Sequence, residues 1–243
     1  MKSEFVNLSV NDGTQMRAYV ARPDGKPRAG LIVFQEIFGI NSHIRDVTER
    51  FGRQGYLAIA PELFHRSGPG FESGYTDMGP GFAHMQQLTD AGLEADIRAA
   101  HQWLSDAGES KICSTGYCMG GRVSTMAAIT APLACAVSYY GGGIAPNQMN
   151  PGLLDRLKDL KAPMLFFWGG LDSHIPQESV QKVTAALTAA QKNYTNVVFS
   201  FADHGFFCDQ RASYNPQAAA LAWPLTLAFF ETHTTGQTQP ARA

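Results

Sequence analysis

The segment KICSTGYCMGGRVS, Lys111 to Ser124, reads as a short apolar strand that runs into a glycine-rich turn and then into a helix. A nucleophile held on a sharp strand-to-helix turn sits in a strained backbone conformation, so the residues two before and two after it must be small. Gly116 and Gly120 occupy those positions around Cys118. Such a turn also leaves the first N–H groups of the following helix without partners, facing outward, where they can hold a developing negative charge. The competing reading is a plain glycine-rich connection with a buried structural cysteine, since free cysteine is among the most buried residue types. The surrounding sequence has to decide.

Upstream, Phe5 to Val10 and Thr14 to Ala21 alternate around Asn11, Asp12 and Gly13, which predicts an antiparallel hairpin. Gly30 to Phe34 (GLIVF) is apolar throughout, as a strand covered on both faces requires. Asn41 or Ser42 can cap a helix running to about Gln54 with Ile44, Val47 and Phe51 on one face, and Tyr56 to Ala60 is the next buried strand. Leu63 to Leu88 loses periodicity among scattered glycines and prolines and is expected to form a rim or lid over the site. Ala91 to Leu104 is helical by spacing, and a helix from Gly120 to about Thr130 follows the turn. Strands are expected at Leu133 to Tyr140, Pro163 to Trp168 and Val197 to Phe201, with helices at Gln177 to Gln191 and Gln217 to His233. This alternation predicts an α/β fold: a mostly parallel central sheet with helices on both faces and an antiparallel hairpin at the N-terminus. Residues 1–233 are expected to form a single domain, with 234–243 a flexible tail.

A net charge of −2 over 243 residues offers no basic surface for nucleic acid or anionic lipid. Glu4, Asn7 and Ser9 interrupt the region where a secretory signal would be apolar, and no run is long enough to span a bilayer. A cytoplasmic protein without membrane or nucleic-acid partners is expected, monomeric or weakly oligomeric. The four cysteines, Cys113, Cys118, Cys135 and Cys208, are unclustered and read as reduced thiols. The seven histidines show no HxxxH or HExxH spacing, so no metal and no organic cofactor is expected.

In sheets of this kind functional groups gather where strands end at their carboxyl edge. Cys118 follows one such strand, Asp172 follows PMLFFWGGL, and His204 follows VVFSFAD. Nucleophile, acid and base then appear in the chain order of the α/β-hydrolase fold. An imidazole can take the thiol proton and return it to a leaving group, while a carboxylate fixes its tautomer. A neighbouring imidazolium or helix N-terminus favours the thiolate, which is the attacking species. Asp172 could instead be a turn or capping residue and His204 a loop histidine; Asp203 and His174 are the rival acid and base.

FQEIFG at Phe34 to Gly39, GYCMGG at Gly116 to Gly121, WGGLDSHIP around Asp172, DHGF at Asp203 to Phe206 and the terminal LAWPLTLAFF together resemble the dienelactone hydrolase family of α/β-hydrolases. The resemblance implies a Cys118, His204, Asp172 triad, an oxyanion hole from the backbone N–H groups of Ile37 and Met119, and Glu36 as a carboxylate that contacts the resting thiol. A carboxylate beside a thiolate is a like-charge pair, so one must carry a proton or move away.

The chain departs from that family pattern as well. Where dienelactone-cleaving members resemble one another in an arginine four residues after the histidine, this chain has Cys208, and no arginine lies between Arg66 and Arg98. Arg211 or Arg122 could substitute. Without a bidentate guanidinium, neutral activated esters or lactones are favoured over anionic dienelactones. Phe38, Tyr75, Tyr140, Phe206 and Phe207 are expected to line the site, each with core packing as the alternative. A thiolate facing an oxyanion hole could also attack an uncharged phosphotriester. The competing functions are a nucleotide-binding domain, although GYCMGG is neither GxGxxG nor GxxxxGK[ST], a non-catalytic binding protein on the same scaffold, and an acyltransferase.

Overall fold

The five buried apolar runs GLIVF, LAIAP, ICSTGY, CAVSY and MLFFWG are strands, with helices between most of them. The computed structural model describes residues 1–148 and 150–235; most of the expected tail, 236–243, lies outside them. In chain order the elements are β1 (Lys2–Ser9), β2 (Gln15–Arg22), β3 (Gly30–Phe34), α1 (Ser42–Arg53), β4 (Leu57–Pro61), α2 (Gly79–Met85) and α3 (Asp90–Asp106). There follow β5 (Ile112–Tyr117), α4 (Met119–Thr130), β6 (Cys135–Tyr139), a 3-10 helix (Leu154–Asp159), β7 (Met164–Gly169), α5 (Gln177–Ala189), β8 (Tyr194–Phe199) and α6 (Pro216–Thr234). No described helix is long and apolar enough to cross a membrane.

One eight-stranded sheet runs β1-β2-β4-β3-β5-β6-β7-β8. β1 and β2 are antiparallel, β2 meets β4 antiparallel, and every pairing from β4 to β8 is parallel. The chain passes from β3 to β4 on one side and returns to place β5 on the other, so strand order reverses between β3 and β5. That reversal opens a crevice at the carboxyl edge, the usual place for a ligand in an open α/β sheet. β3, β4, β5, β6 and β7 are buried along their whole length, which is why they read as unbroken apolar runs.

Three elements differ from the sequence expectation. The aperiodic stretch from Leu63 to Leu88 contains the short helix α2, introduced by Pro80 in its first turn. The 3-10 helix has too few residues to display a period. β8 begins at Tyr194 instead of Val197, because an edge strand with one neighbour is mostly half-exposed and its apolar pattern starts late.

The helix caps follow the sequence. Asn41 accepts from the Ile44 N–H at 3.2 Å and starts α1, while Asn215 accepts from the Ala218 N–H at 3.0 Å and starts α6. α6 is tied to the sheet where the Tyr139 hydroxyl meets Thr226 Oγ1 at 2.6 Å.

The join between β5 and α4 is made by close backbone packing. A methyl group on Gly116 would lie against the Gly120 carbonyl oxygen, and one on Gly120 against the Phe34 and Gln35 carbonyl oxygens. Neither neighbour is a flexible side chain that could swing aside. Gly116→Ala is therefore expected to cost more than about 4 kcal/mol or to prevent folding; a thermal melt within 1–2 °C of the parent would overturn this account of the turn.

Candidate active site

Cys118 sits between the last residue of β5 and the first of α4 with φ 56° and ψ −120°. A non-glycine residue at positive φ is uncommon and marks stored strain. The strain is held because glycines on both sides let β3, β5 and α4 close around it, and because the Cys118 N–H donates to the Tyr139 carbonyl at 3.1 Å. The sulfur lies at the N-terminal end of α4, where the helix dipole favours negative charge. Met119, as the first helical residue, has an N–H without an intrahelical acceptor, and Ile37, on the segment leaving β3, borders the same cavity.

That cavity has a volume of about 610 Å³ and is bordered by Cys118, His204, Ile37, Met119 and Arg211. His204 comes from the segment after β8 and Asp172 from the turn after β7. His204 Nδ1 donates to Asp172 Oδ2 at 2.8 Å. The other carboxylate oxygen, Oδ1, accepts from the backbone N–H of His174 at 2.8 Å and of Ile175 at 3.1 Å. Asp172 is thus both a turn former and the partner of the histidine; the two readings are not exclusive. Burial alone would lower the His204 pKa, but the Cys118 sulfur and the Asp172 carboxylate outweigh it and raise the pKa to about 10. The charged imidazole contributes stability that is fully present below an unfolded pKa of ~6.5 and is lost as pH rises through about 10.

The rival residues are placed otherwise. Asp203 is exposed and its carboxylate accepts from the His204 backbone N–H at 2.6 Å. His174 is exposed at the cavity edge, its ring 5.3 Å from that of His204.

Glu36 is buried, and its Oε1 accepts from Arg211 Nη1 at 3.0 Å while Oε2 has no hydrogen-bond partner. The carboxylate therefore turns to a guanidinium and makes no hydrogen bond to the thiol, unlike the contact the family resemblance implies. Burial opposes the charge on Arg211, but Glu36 and then Cys118 hold the guanidinium above its ordinary pKa. Gly205, at φ 78°, gives Arg211 its space: a methyl group there would run into the guanidinium. Arg122 also borders the cavity and donates to Asp90 Oδ1 at 2.8 Å and to the Gly143 carbonyl at 3.2 Å. The position expected to carry an arginine holds Cys208, whose thiol burial and then Glu36 push up to about 12.

Of the aromatic residues expected to line the site, Phe38 borders the cavity, with Tyr75 edge-on to it at 4.5 Å. Tyr140 is buried against the His204 ring at 5.1 Å, and Phe206 packs against Tyr140, also at 5.1 Å. Phe207 turns away from the cavity and stacks on Tyr117 and Trp223. The apolar wall comes instead from Met78, Phe82 and Met85 on and before α2, with Leu88 and Leu93 beyond it. The i, i+4, i+7 spacing of those first three was the available signal; the glycines and prolines around them hid it.

Known proteins share the family and the fold of this chain. The model of the dienelactone hydrolase family matches residues 16–234. A Synechocystis sp. protein named "Putative carboxymethylenebutenolidase" is 38% identical over 241 residues, covering 96% of this chain and 97% of its own. An Escherichia coli K12 protein of the same name is 37% identical over 230 residues, covering 91% of this chain and 84% of its own. Among solved structures, a Klebsiella pneumoniae protein described as a "Putative Dienelactone Hydrolase" superposes with TM-score 0.84 at 37% identity, covering 95% of this chain and 99% of that one. A dienelactone hydrolase-like promiscuous phosphotriesterase from metagenomic libraries has the same fold, with TM-score 0.80 at 20% identity and coverage of 96% and 99%. With its elbow, its parallel sheet and a family match over nearly its whole length, this chain is a hydrolase belonging to the dienelactone hydrolase family.

Proposed function

We propose that the chain cleaves carboxylic esters and lactones through Cys118, His204 and Asp172. The observation that carries this reading is a cysteine held at φ 56° on the β5–α4 elbow, bordering the same cavity as a histidine whose far nitrogen is fixed by a buried carboxylate. The Cys118 thiolate attacks the acyl carbon, and the oxygen of the tetrahedral intermediate takes hydrogen bonds from the Ile37 and Met119 N–H groups. His204 gives its proton to the departing alkoxide, leaving a thioester on Cys118. The neutral imidazole then takes a proton from water, hydroxide adds to the thioester, and the thiolate leaves as the acid is released. Asp172 holds the imidazole in one tautomer throughout. Incubation with a slowly hydrolysed p-nitrophenyl ester should release one equivalent of p-nitrophenol per chain in a burst and add one acyl mass, located on Cys118. Steady turnover with no adduct on that residue would overturn the reading. Added alcohol should leave the acid as the main product; ester formation instead would make the protein an acyltransferase.

Charge supports neutral substrates. Arg211 is paired with Glu36 and Arg122 with Asp90, so an anionic group must compete with a carboxylate already in place. The wall from α2 is apolar. Neutral aryl esters should therefore show kcat/KM ~10-fold or more above carboxylate-bearing analogues of equal leaving group; the reverse order would show that Arg211 exchanges Glu36 for substrate. An aryl phosphotriester is a second substrate class for the same thiolate, supported by the shared fold of the metagenomic phosphotriesterase. Equal phosphotriester rates in the parent and Cys118→Ala would exclude it.

A further inference from the structure

Behind the cavity, three side chains from distant parts of the chain converge. Glu36 at the end of β3, His43 in α1 and Cys208 after β8 bring a carboxylate oxygen, an imidazole nitrogen and a sulfur within 4.8 Å of one another, all three buried. Buried polar atoms normally find partners, yet Glu36 Oε2 and both ring nitrogens of His43 have no hydrogen bond. The partners that exist lie around the cluster: Arg211 takes Glu36 Oε1 at 3.0 Å, Asp209 Oδ1 stands 3.7 Å from His43 Nδ1, and the Cys208 sulfur is hydrogen-bonded with the Tyr75 hydroxyl and the Gln210 backbone N–H. A carboxylate near one imidazole nitrogen is the arrangement that orients a metal-ligating histidine through the other.

We propose that Glu36, His43 and Cys208 form a buried binding site for a thiophilic divalent cation of the Zn²⁺ type. One sulfur, one nitrogen and one oxygen donor suit a borderline ion in four-coordinate geometry, whereas Mg²⁺ and Ca²⁺ take all-oxygen sets. As the metal–sulfur bond forms, the Cys208 proton leaves to solvent. The dication then faces one thiolate and one carboxylate, so the set is neutral. Three protein ligands leave a fourth position for water. Local histidine spacing could not reveal the cluster, because its members stand at positions 36, 43 and 208. The competing occupant among these donors is a buried water alone.

The test uses the full chain carrying Cys118→Ala, which removes the half-buried thiol at the cavity and makes the result independent of the hydrolase reading. The protein is stripped with a chelator and titrated with Co²⁺, then with Zn²⁺. Uptake of one Co²⁺ per chain is expected, with a thiolate-to-cobalt charge-transfer band and the d–d spectrum of four-coordinate cobalt, both displaced by one equivalent of Zn²⁺. Adding Cys208→Ser should abolish the charge-transfer band, and His43→Gln should weaken binding ~100-fold, with circular dichroism confirming that each variant is folded. Absence of any cobalt band in the Cys118→Ala protein, the result a bound water alone would give, overturns the proposal. So does a charge-transfer band that survives Cys208→Ser.

Discussion

Cys118→Ala should lower kcat for an aryl ester by ~10⁴-fold or more while the protein keeps its fold. The size follows from the proposed mechanism: without the sulfur no thioester forms, and the remaining N–H groups and cavity can only bind the substrate. Residues acting as a unit lose most of their effect when any one of the essential pair is removed. The structure should tolerate the change, because the strain at φ 56° belongs to the backbone and alanine has the same Cβ. A melting temperature close to the parent would separate lost chemistry from lost structure. A second readout is the histidine. The sulfur is the largest influence raising His204, and burial alone lowers it. In Cys118→Ala the imidazole pKa should therefore fall from about 10, with only Asp172 left to oppose burial, observable by NMR titration of the ring. Parent-like turnover, or an unmoved His204, would remove the nucleophile from the scheme.

Asp172→Asn is expected to reduce kcat by ~10⁴-fold through a different fault. Asparagine can keep Oδ1 in place for the His174 and Ile175 N–H groups, so the turn after β7 survives. Its NH₂ then faces His204 Nδ1, which must become an acceptor. The ring proton moves to the other nitrogen, the one that has to take the thiol proton, and the base is blocked. The loss of the carboxylate also lowers the His204 pKa, because Asp172 raises it both as a hydrogen-bond acceptor and as a charge. Activity lost with unchanged melting and a shifted imidazole titration is the expected pattern. Full activity in the variant would show that Asp172 serves only the turn.

The elbow was readable from sequence because its demands are local. An apolar strand, two small residues at fixed offsets and a following helix all lie within Lys111 to Ser124, and each is a steric requirement. The positions of Asp172 and His204 were readable because parallel strands deliver their following residues to one edge. What lay beyond local reading depends on long separations or on weak periodicity. Arg211 meets Glu36 across 175 positions, and nothing in either neighbourhood announces the pair. Phe206 and Phe207 follow His204 after Gly205, yet both are buried, one against Tyr140 and the other stacked on Tyr117, since direction after a positive-φ glycine is set by the turn and not by composition. α2 escaped notice because Pro80 and the flanking glycines outweigh a single amphipathic turn.

The order in which β5, β7 and β8 enter the sheet has a consequence for biosynthesis. Cys118 leaves the ribosome with its elbow glycines and β3 already made, while His204 arrives only after β6, β7 and β8. Chains fold from the N-terminal side as they are made, so the nascent polypeptide carries its sulfur without an imidazole beside it. Translation that stops short of the last parallel strand releases a fragment with its thiol unarmed.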